Sequence, residues 1–302
     1  MSQITKNILM IRPSCFGYNY ETSLDNYFQK KNEYTDDKEI KIKAIEEFNN
    51  MISLLRNHDI NVVVLENEEN KNLKDDIFPN NWISFHSDKY IIHSMFTKSR
   101  RKEKNKTFIE SLKLLGFDYK LLNDYSKQES SGIHLEGTGS VVLDRINKVA
   151  YCSISKRSNE KLFHLFCEDI GYEPVSFKSY DSRGELIYHT NVMMSIGDDF
   201  ALVCLDSIKN KKEMSRVKNT LIKSGKKLVE ISLKQVDSFL GNLIQLGDPS
   251  NKIIVMSRKA YLSLNTKQKN ILSRESKIVD IPIPIIESIG GGSVRCMIAE
   301  LI

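Results

Sequence analysis

EGTGSVVLDRINKVAYCSISKRSNEKLFHLFCEDIGYEPVSF, residues 136–177, holds one complete folding unit of this chain. Two apolar runs flank a polar turn and read as paired strands. The charged stretch after them carries Leu162, Phe166 and Ile170 at i, i+4 and i+8, one face of a helix, and a last apolar run reads as a third strand. The same order recurs outward from this stretch. NNWISFHSDKYIIHSM (80–95) leads into NKTFIESLKLLGFDYKLL (105–122), HTNVMMSIGDDFALVCLDSI (189–208) into MSRVKNTLIKSGKKLVEIS (214–232), and GNLIQLGDPSNKIIVMS (241–257) into QKNILSRESKIVDIPIP (268–284). A fifth copy is split between the two ends: GGSVRCMIAELI (291–302) is completed by ILMIRP (8–13) and KAIEEFNNMISLLRNHDINVVVLE (43–66), where Ile45, Phe48, Ile52 and Leu55 follow helical spacing.

Five residues mark the phase of this repeat: Asn81, Glu136, His189, Asn242 and Cys296 are separated by 55, 53, 53 and 54 positions, each at or beside the start of a unit's first strand. A period near 50 in all-β units points to a propeller, and the helix in every unit points to an α/β version. The expected fold is α/β: a five-bladed propeller of five ββαβ units, closed by pairing of the N- and C-terminal strands, so that residues 1–302 form a single catalytic domain. Closure removes exposed sheet edges, and it would carry the five marked residues toward one mouth.

Composition sets the class. Of 302 residues, 40% are hydrophobic and 27% charged, as in an ordinary globular protein. There is no apolar run long enough for a membrane-spanning helix and no leader pattern at the start, so a cytoplasmic protein without a membrane partner is expected. Five cysteines without a CxxC pair argue against disulfides and structural zinc. The net charge of +5 is modest, and the densest basic run, KSRRKEKNK at 98–106, reads as a solvated loop; no nucleic-acid partner is expected.

The chemistry lies at the repeat phase. Cys296 sits in GGGSVRCM (290–297), where glycines allow unusual backbone angles and a close approach to ligand, and neighbouring Arg295 can favour a thiolate. Cys15, Cys152, Cys167 and Cys204 read as small buried hydrophobes. His189 can shuttle a proton, and Glu136 can accept from a substrate N–H or an imidazolium. The remaining histidines lack zinc-ligand spacing, so no metal site is expected.

FPNNW (78–82), EGTGS (136–140), IYHTN (187–191) and GGGSVRCM (290–297) together resemble the guanidine-modifying superfamily, which includes arginine deiminases, dimethylarginine hydrolases and amidinotransferases. The similarity is greatest to its citrulline-utilisation branch, the citrulline ureidases, and extends from IRPSCFGYN (11–19) to the last residues. The resemblance implies a pentein, a Cys296–His189–Glu136 site, and no metal or organic cofactor. Arginine-acting members carry Asp at the position of Asn81, and arginine deiminases carry another at Asn191. Here both are amides. A guanidinium offers only donors and is always charged, whereas a ureido group is neutral and presents a carbonyl oxygen, which an amide can serve.

The expected reaction is therefore hydrolysis of L-citrulline to L-ornithine, carbon dioxide and ammonia through a covalent thioenzyme. Asn81, Asn191 or the backbone N–H groups of Gly290–Gly292 would hold the oxyanion. The resemblance places Asp75 at an acidic position suited to the substrate ammonium, while Arg183, Arg12 or Arg295 would take the carboxylate. Residues 14–36 and 178–186 are candidate lids. An arginine deiminase, dimethylarginine hydrolase or amidinotransferase is the alternative among enzymes, and a pentein-fold binding module such as a translation factor the non-enzymatic one. The sequence is also compatible with a homo-oligomer.

Overall fold

A computed structural model describes residues 2–31, 36–67 and 72–302. The chain forms two compact units, one of Lys6–Gly137 with Pro282–Ile302, the other of Met1–Thr5 with Thr138–Ile281. Among the described residues fifteen strands form five three-stranded sheets.

In the first unit, β1 (Asn7–Ile11) is followed by helix α1 (Asp37–Arg56) and β2 (Asn61–Leu65); β3 (Ile83–His86) and β4 (Lys89–Ile92) are followed by α2 (Thr107–Leu114) and β5 (Lys120–Asp124). The second unit holds β6 (Val141–Asp144), β7 (Val149–Ser153), α3 (Glu160–Ile170) and β8 (Glu173–Phe177), then β9 (Met194–Ile196), β10 (Phe200–Val203), α4 (Lys211–Lys223) and β11 (Lys227–Glu230). It closes with β12 (Ile244–Asp248), β13 (Asn251–Ser257), α5 (Arg258–Ser263), α6 (Thr266–Leu272) and β14 (Lys277–Ile281). The final strand, β15 (Ala299–Glu300), returns to the first unit and pairs antiparallel with β1, placing Ile8 opposite Glu300 and Leu9 opposite Ala299.

All five sheets share one connectivity. A first strand runs antiparallel to the middle strand, and a helical crossover brings the third strand in parallel to the middle one. The strand, strand, helix, strand order expected from periodicity is present in every sheet, and the split copy is assembled from the two ends as expected. Middle strands such as β7 and β10 are buried along their whole length, which explains their unbroken apolar character. Local chemistry sets the ends: Gly171, at φ 70°, terminates α3, and the Asp248 carboxylate accepts from the N–H groups of Ser250 and Asn251 to turn β12 into β13.

The first unit's core joins both ends of the sequence: Leu9 and Ile11 pack with Trp82, Ile83, Phe85, Phe108, Leu112, Ala299 and Leu301. No helix among the described residues is long and apolar enough to cross a membrane.

Leu301 fills this core and its N–H donates to the Asn7 carbonyl at 2.9 Å. Leu301→Ala should cost about 2–5 kcal/mol and lower the melting temperature by roughly 5–15 °C, whereas exposed Leu262→Ala should stay within about 0.5 kcal/mol of wild type. Differential scanning calorimetry on both variants checks this; equal melting temperatures would contradict the end-to-end core.

Candidate active site

The five phase-marking residues share one local device, a tight turn that delivers a polar side chain just ahead of a first strand. Asn81 ends the 3₁₀ turn Pro79–Asn81, Glu136 precedes the helical turn Gly137–Ser140, His189 precedes the 3₁₀ turn Thr190–Val192, Asn242 lies two residues before β12, and Cys296 lies in the 3₁₀ turn Val294–Met297. All five are buried, a placement that costs free energy unless the polar groups are paired.

Four of the sequence-predicted site residues, Cys296, Asn81, Glu136 and Asp75, belong to the first unit. The turns carrying Asn81 and Cys296 pack on each other. Gly290 and Gly292 are required by that approach: a Cβ on either would fall 2.9 or 2.7 Å from the Phe78 ring, while Gly291 alone of the three is left-handed, at φ 64°. The Gly291 N–H is engaged by the Glu287 carbonyl at 3.0 Å, so it is not an oxyanion donor as the glycine run suggested. The loop after β1 is fastened over this turn, with Asn26 donating to the Gly291 carbonyl at 3.2 Å and Gln29 to that of Gly290 at 3.0 Å. Of the expected lid at 14–36, residues 32–35 lie outside the described residues. Arg295 donates to Glu300 at 2.7 Å and to the Ile298 carbonyl at 2.8 Å, which directs its charge to these groups.

Asn81 is oriented by a residue that the sequence reading passed over. Arg100 is buried and donates from Nη1 to Asn81 Oδ1 at 2.7 Å; Nε and Nη2 fork onto Glu103, each at 2.9 Å, and Nη2 also reaches the Phe78 carbonyl at 3.2 Å. Asn81 Nδ2 is buried and makes no hydrogen bond. The 98–106 run is thus not simply a solvated loop: Arg100 and Glu103 form a buried ion pair within the 3₁₀ turn Arg100–Glu103. The R-x-x-E spacing was the available signal, because it places the two side chains on one face of a turn. Burial works against the Arg100 charge, and Glu103, Asp75 and Glu136 outweigh it; burial pushes the Glu103 carboxyl up while Arg100 pulls it back.

Glu136 accepts the Phe96 N–H at 2.9 Å. Gly137, at φ 47°, lets this segment lie against the Asn81 turn, since a Cβ there would fall 2.2 Å from the Asn80 carbonyl oxygen. Asp75 is buried and accepts from Asn19 at 2.7 Å and Thr22 at 3.1 Å, which ties the loop after β1 to it. Its neighbour Asp76 accepts from Asn67 at 3.3 Å through one oxygen, and the other has no partner. Burial, then the Glu103 charge, pushes the Asp76 carboxyl up to about 8.

His189, Asn191 and Arg183 belong to the second unit. The His189 ring lies 4.8 Å from the Tyr188 ring, which also carries the Arg157 guanidinium at 5.0 Å. Thr190 Oγ1 accepts from the Ser153 N–H at 2.7 Å and donates to the Ser140 carbonyl, so the segment after His189 is braced between the end of β7 and the turn that leads into β6. The Asn191 amide reaches the Thr138 carbonyl at 3.4 Å, and Asn242 braces the Asn191 backbone carbonyl at 3.1 Å. Asn242 is therefore a support for the histidine turn. Arg183 forks onto Asp181 at 3.1 and 2.9 Å, with its side chain half exposed. Among the other cysteines, burial pushes the Cys152 thiol up, Cys167 up to about 12 and Cys204 up to about 11, which leaves them unreactive near neutrality. Among the described residues no group of three or more His, Cys, Asp or Glu side chains is arranged to hold a metal ion.

The model of the family "N,N dimethylarginine dimethylhydrolase, eukaryotic" matches residues 12–302. No curated protein matches the chain significantly. Solved structures do. The N-terminal domain of a mutant ArgZ bound to substrate, an arginine dihydrolase from the ornithine-ammonia cycle in Cyanobacteria, is 15% identical with a TM-score of 0.75, covering 98% of this chain and 97% of that one. Unliganded AgrE is 16% identical with a TM-score of 0.76; 98% of this chain is covered, but it spans only 39% of the AgrE chain. A mutant DDAH from Pseudomonas aeruginosa complexed with citrulline is 16% identical with a TM-score of 0.66, covering 98% and 99%. At these identities the likeness is one of fold.

The Asp76 carboxyl yields a test. Its value rises from 3.8 to about 8 on folding, so the native state keeps a proton that the unfolded chain releases above pH 4 or so. Stability should fall as pH rises through this window, by up to about 1.4 kcal/mol per pH unit from this group. Asp76→Asn removes the term, so its melting temperature relative to wild type should climb between pH 5 and pH 8; parallel melting profiles would show that Asp76 is ionised in the fold.

Proposed function

Since the chain belongs to the N,N dimethylarginine dimethylhydrolase family, within the pentein guanidine-modifying superfamily, we propose that this hydrolase of non-peptide C–N bonds acts on the ureido group of L-citrulline, giving L-ornithine, carbon dioxide and ammonia. The observation that carries the reading is the Asn81 amide. Its oxygen is taken by Arg100, and its buried N–H₂ group is the part left to meet a ligand. A donor there suits a neutral carbonyl oxygen, and more so the oxyanion that develops from it. It does not suit a guanidinium, which brings only N–H groups.

In this mechanism the Cys296 thiolate attacks the ureido carbon, and Asn81 donates to the oxyanion of the tetrahedral intermediate, a contribution of about 2.7–4 kcal/mol for one such donor. His189 protonates the departing nitrogen. Departure of ornithine leaves a carbamoyl-thioenzyme; departure of ammonia leaves a thioenzyme still carrying ornithine. His189 then activates water, which releases Cys296, and the carbamate set free loses carbon dioxide, giving ammonia in the first case and ornithine in the second. Glu136 holds the substrate N–H and His189 in register, Asp75 the ammonium, and Arg183 the carboxylate. Asn191 is the second amide in place of a guanidinium-binding carboxylate.

The reading includes the five sheets as blades of a closed α/β propeller in one catalytic domain. It is supported by the repeated ββαβ order, the 53–55 residue phase and the pairing of β15 with β1. It also includes a cytoplasmic protein that needs no metal or organic cofactor. A second reading, hydrolysis of a guanidino compound, is favoured by the acidic groups Asp75, Glu103 and Glu136 around Arg100 and by the arginine-directed relatives.

Purified protein incubated separately with citrulline, arginine and dimethylarginine should form ornithine and ammonia from citrulline, undiminished by chelator. Formation from arginine alone would replace the first reading by the second. Cys296→Ser should lose at least about three orders of magnitude in kcat, because an alcohol is far less ionised than a thiol near neutral pH, whereas Cys152→Ser and Cys204→Ser should act only on melting temperature. Asn81→Asp sets a carboxylate against the developing oxyanion and should depress citrulline turnover by about 100-fold or more; turnover within twofold of wild type would make Asn81 structural.

A further inference from the structure

Helix α4 is strongly basic: in KKEMSRVKNTLIK the cations Lys211, Lys212, Arg216, Lys218 and Lys223 stand against Glu213 alone. Lys218 is answered by Glu230 at 3.1 Å. Lys212 and Arg216, at i and i+4, share one face, and that face forms a wall of a cleft of about 410 Å³ against the end of β8 and the start of α3. The volume falls within the roughly 300–1,000 Å³ of small-molecule sites. Ile154 and Phe177 give it apolar lining, and Lys178 adds a third cation.

The charges around this cleft are held apart. Ser176 Oγ donates to Glu160 Oε1 at 2.6 Å, the Lys178 N–H donates to Glu213 Oε2 at 2.8 Å, and Arg216 Nη2 donates to the Ser176 carbonyl. Each carboxylate is thus fastened through one oxygen, with acceptor capacity to spare. Among the described residues none of the side chains of Lys178, Lys212 and Arg216 forms an ion pair. Three cations and two carboxylates therefore face one space, with one positive charge in excess. A purely anionic ligand would meet both carboxylates, and a purely cationic one all three cations. A molecule with two carboxylates and one ammonium meets every group with its opposite, and its methylenes suit Ile154 and Phe177.

We propose that this cleft is a second ligand site, for an acidic α-amino acid. Lys178, Lys212 and Arg216 take the two carboxylates, and Glu160 and Glu213 take the ammonium. The three cations are exposed, so each contact is worth little alone and affinity comes from several made at once. The site uses none of the residues assigned to catalysis, and it stands whether or not the chain hydrolyses citrulline.

The test is isothermal titration calorimetry of the full chain at one pH and salt concentration, with melting temperature as the folding control. L-Glutamate should bind with a dissociation constant on the order of 0.1–1 mM. Glutarate, the same dicarboxylate without the ammonium, should bind at least about fivefold more weakly, and Glu160→Gln should erase that difference. Lys212→Ala should weaken glutamate at least about fivefold. Lys223→Ala removes the same charge from the far end of α4 and should change nothing, which separates contact in the cleft from the general field of the helix. Arg216→Ala also loses the bond to Ser176, so Lys212→Ala carries the decision and Arg216→Lys serves as its second variant if that protein does not fold.

No heat of binding with glutamate up to about 10 mM would overturn the proposal. So would glutarate binding as tightly as glutamate, glutamate binding untouched by Lys212→Ala, or an equal loss in Lys223→Ala.

Discussion

A guanidinium taken out of water costs several kcal/mol unless its donors are met, and the arrangement around Arg100 is the constraint on which the first unit's polar interior depends. Glu103 answers the charge, the Phe78 carbonyl and Asn81 Oδ1 answer the remaining edges, and each partner is consequently held in place by the charge it satisfies. The turn Pro79–Asn81 and the turn Arg100–Glu103 cannot shift independently. Glu136 shares the same field, so the charge balance of the cluster and the placement of a proposed site residue are one problem.

Packing of backbone on backbone then transmits this order from one repeat to the next. Gly137, beside Glu136, nests against the Asn80 carbonyl; Gly241, beside Asn242, nests in the same way against the Val192 carbonyl, where a Cβ would fall at 2.1 Å. In both cases a glycine next to the phase-marking residue lets one turn sit on the turn of the preceding copy. Gly290 and Gly292 do a related thing against the Phe78 ring. The polar residues recur at constant phase because turn-on-turn packing allows few other positions for them.

Much of this was legible in the sequence, and for identifiable reasons. Strand and helix follow from the burial of apolar residues, so the periodicity of Leu162, Phe166 and Ile170 and the unbroken apolar runs of the middle strands translate directly into structure. The phase residues were visible because repetition betrays position. Arg100 and Glu103 were hidden because a charged residue in a charged run looks solvated, and only the fold reveals that two of that run face inward while Lys98 and Lys102 stay exposed. The orientation of Asn81 was equally out of reach, since composition says that an amide can donate and accept but not which end is already engaged. Asn242 carried the right phase yet serves as a brace, a distinction set by the carbonyl it meets.

The pairing of β1 with β15 also has a consequence in time. About 290 residues separate the two strands, and at ordinary synthesis rates of 5–20 residues per second β1 is made roughly 15–60 s before its partner. Throughout that interval one edge of β1 has no neighbour, although Leu9 and Ile11 beside it are among the residues the finished core needs. Cys296, the proposed nucleophile, arrives with the same late segment. On the proposed mechanism, catalytic competence and the sealing of that edge are therefore reached together, so a nascent chain that could hydrolyse substrate is also one that has ceased to offer a sticky β-edge to its neighbours on the polysome.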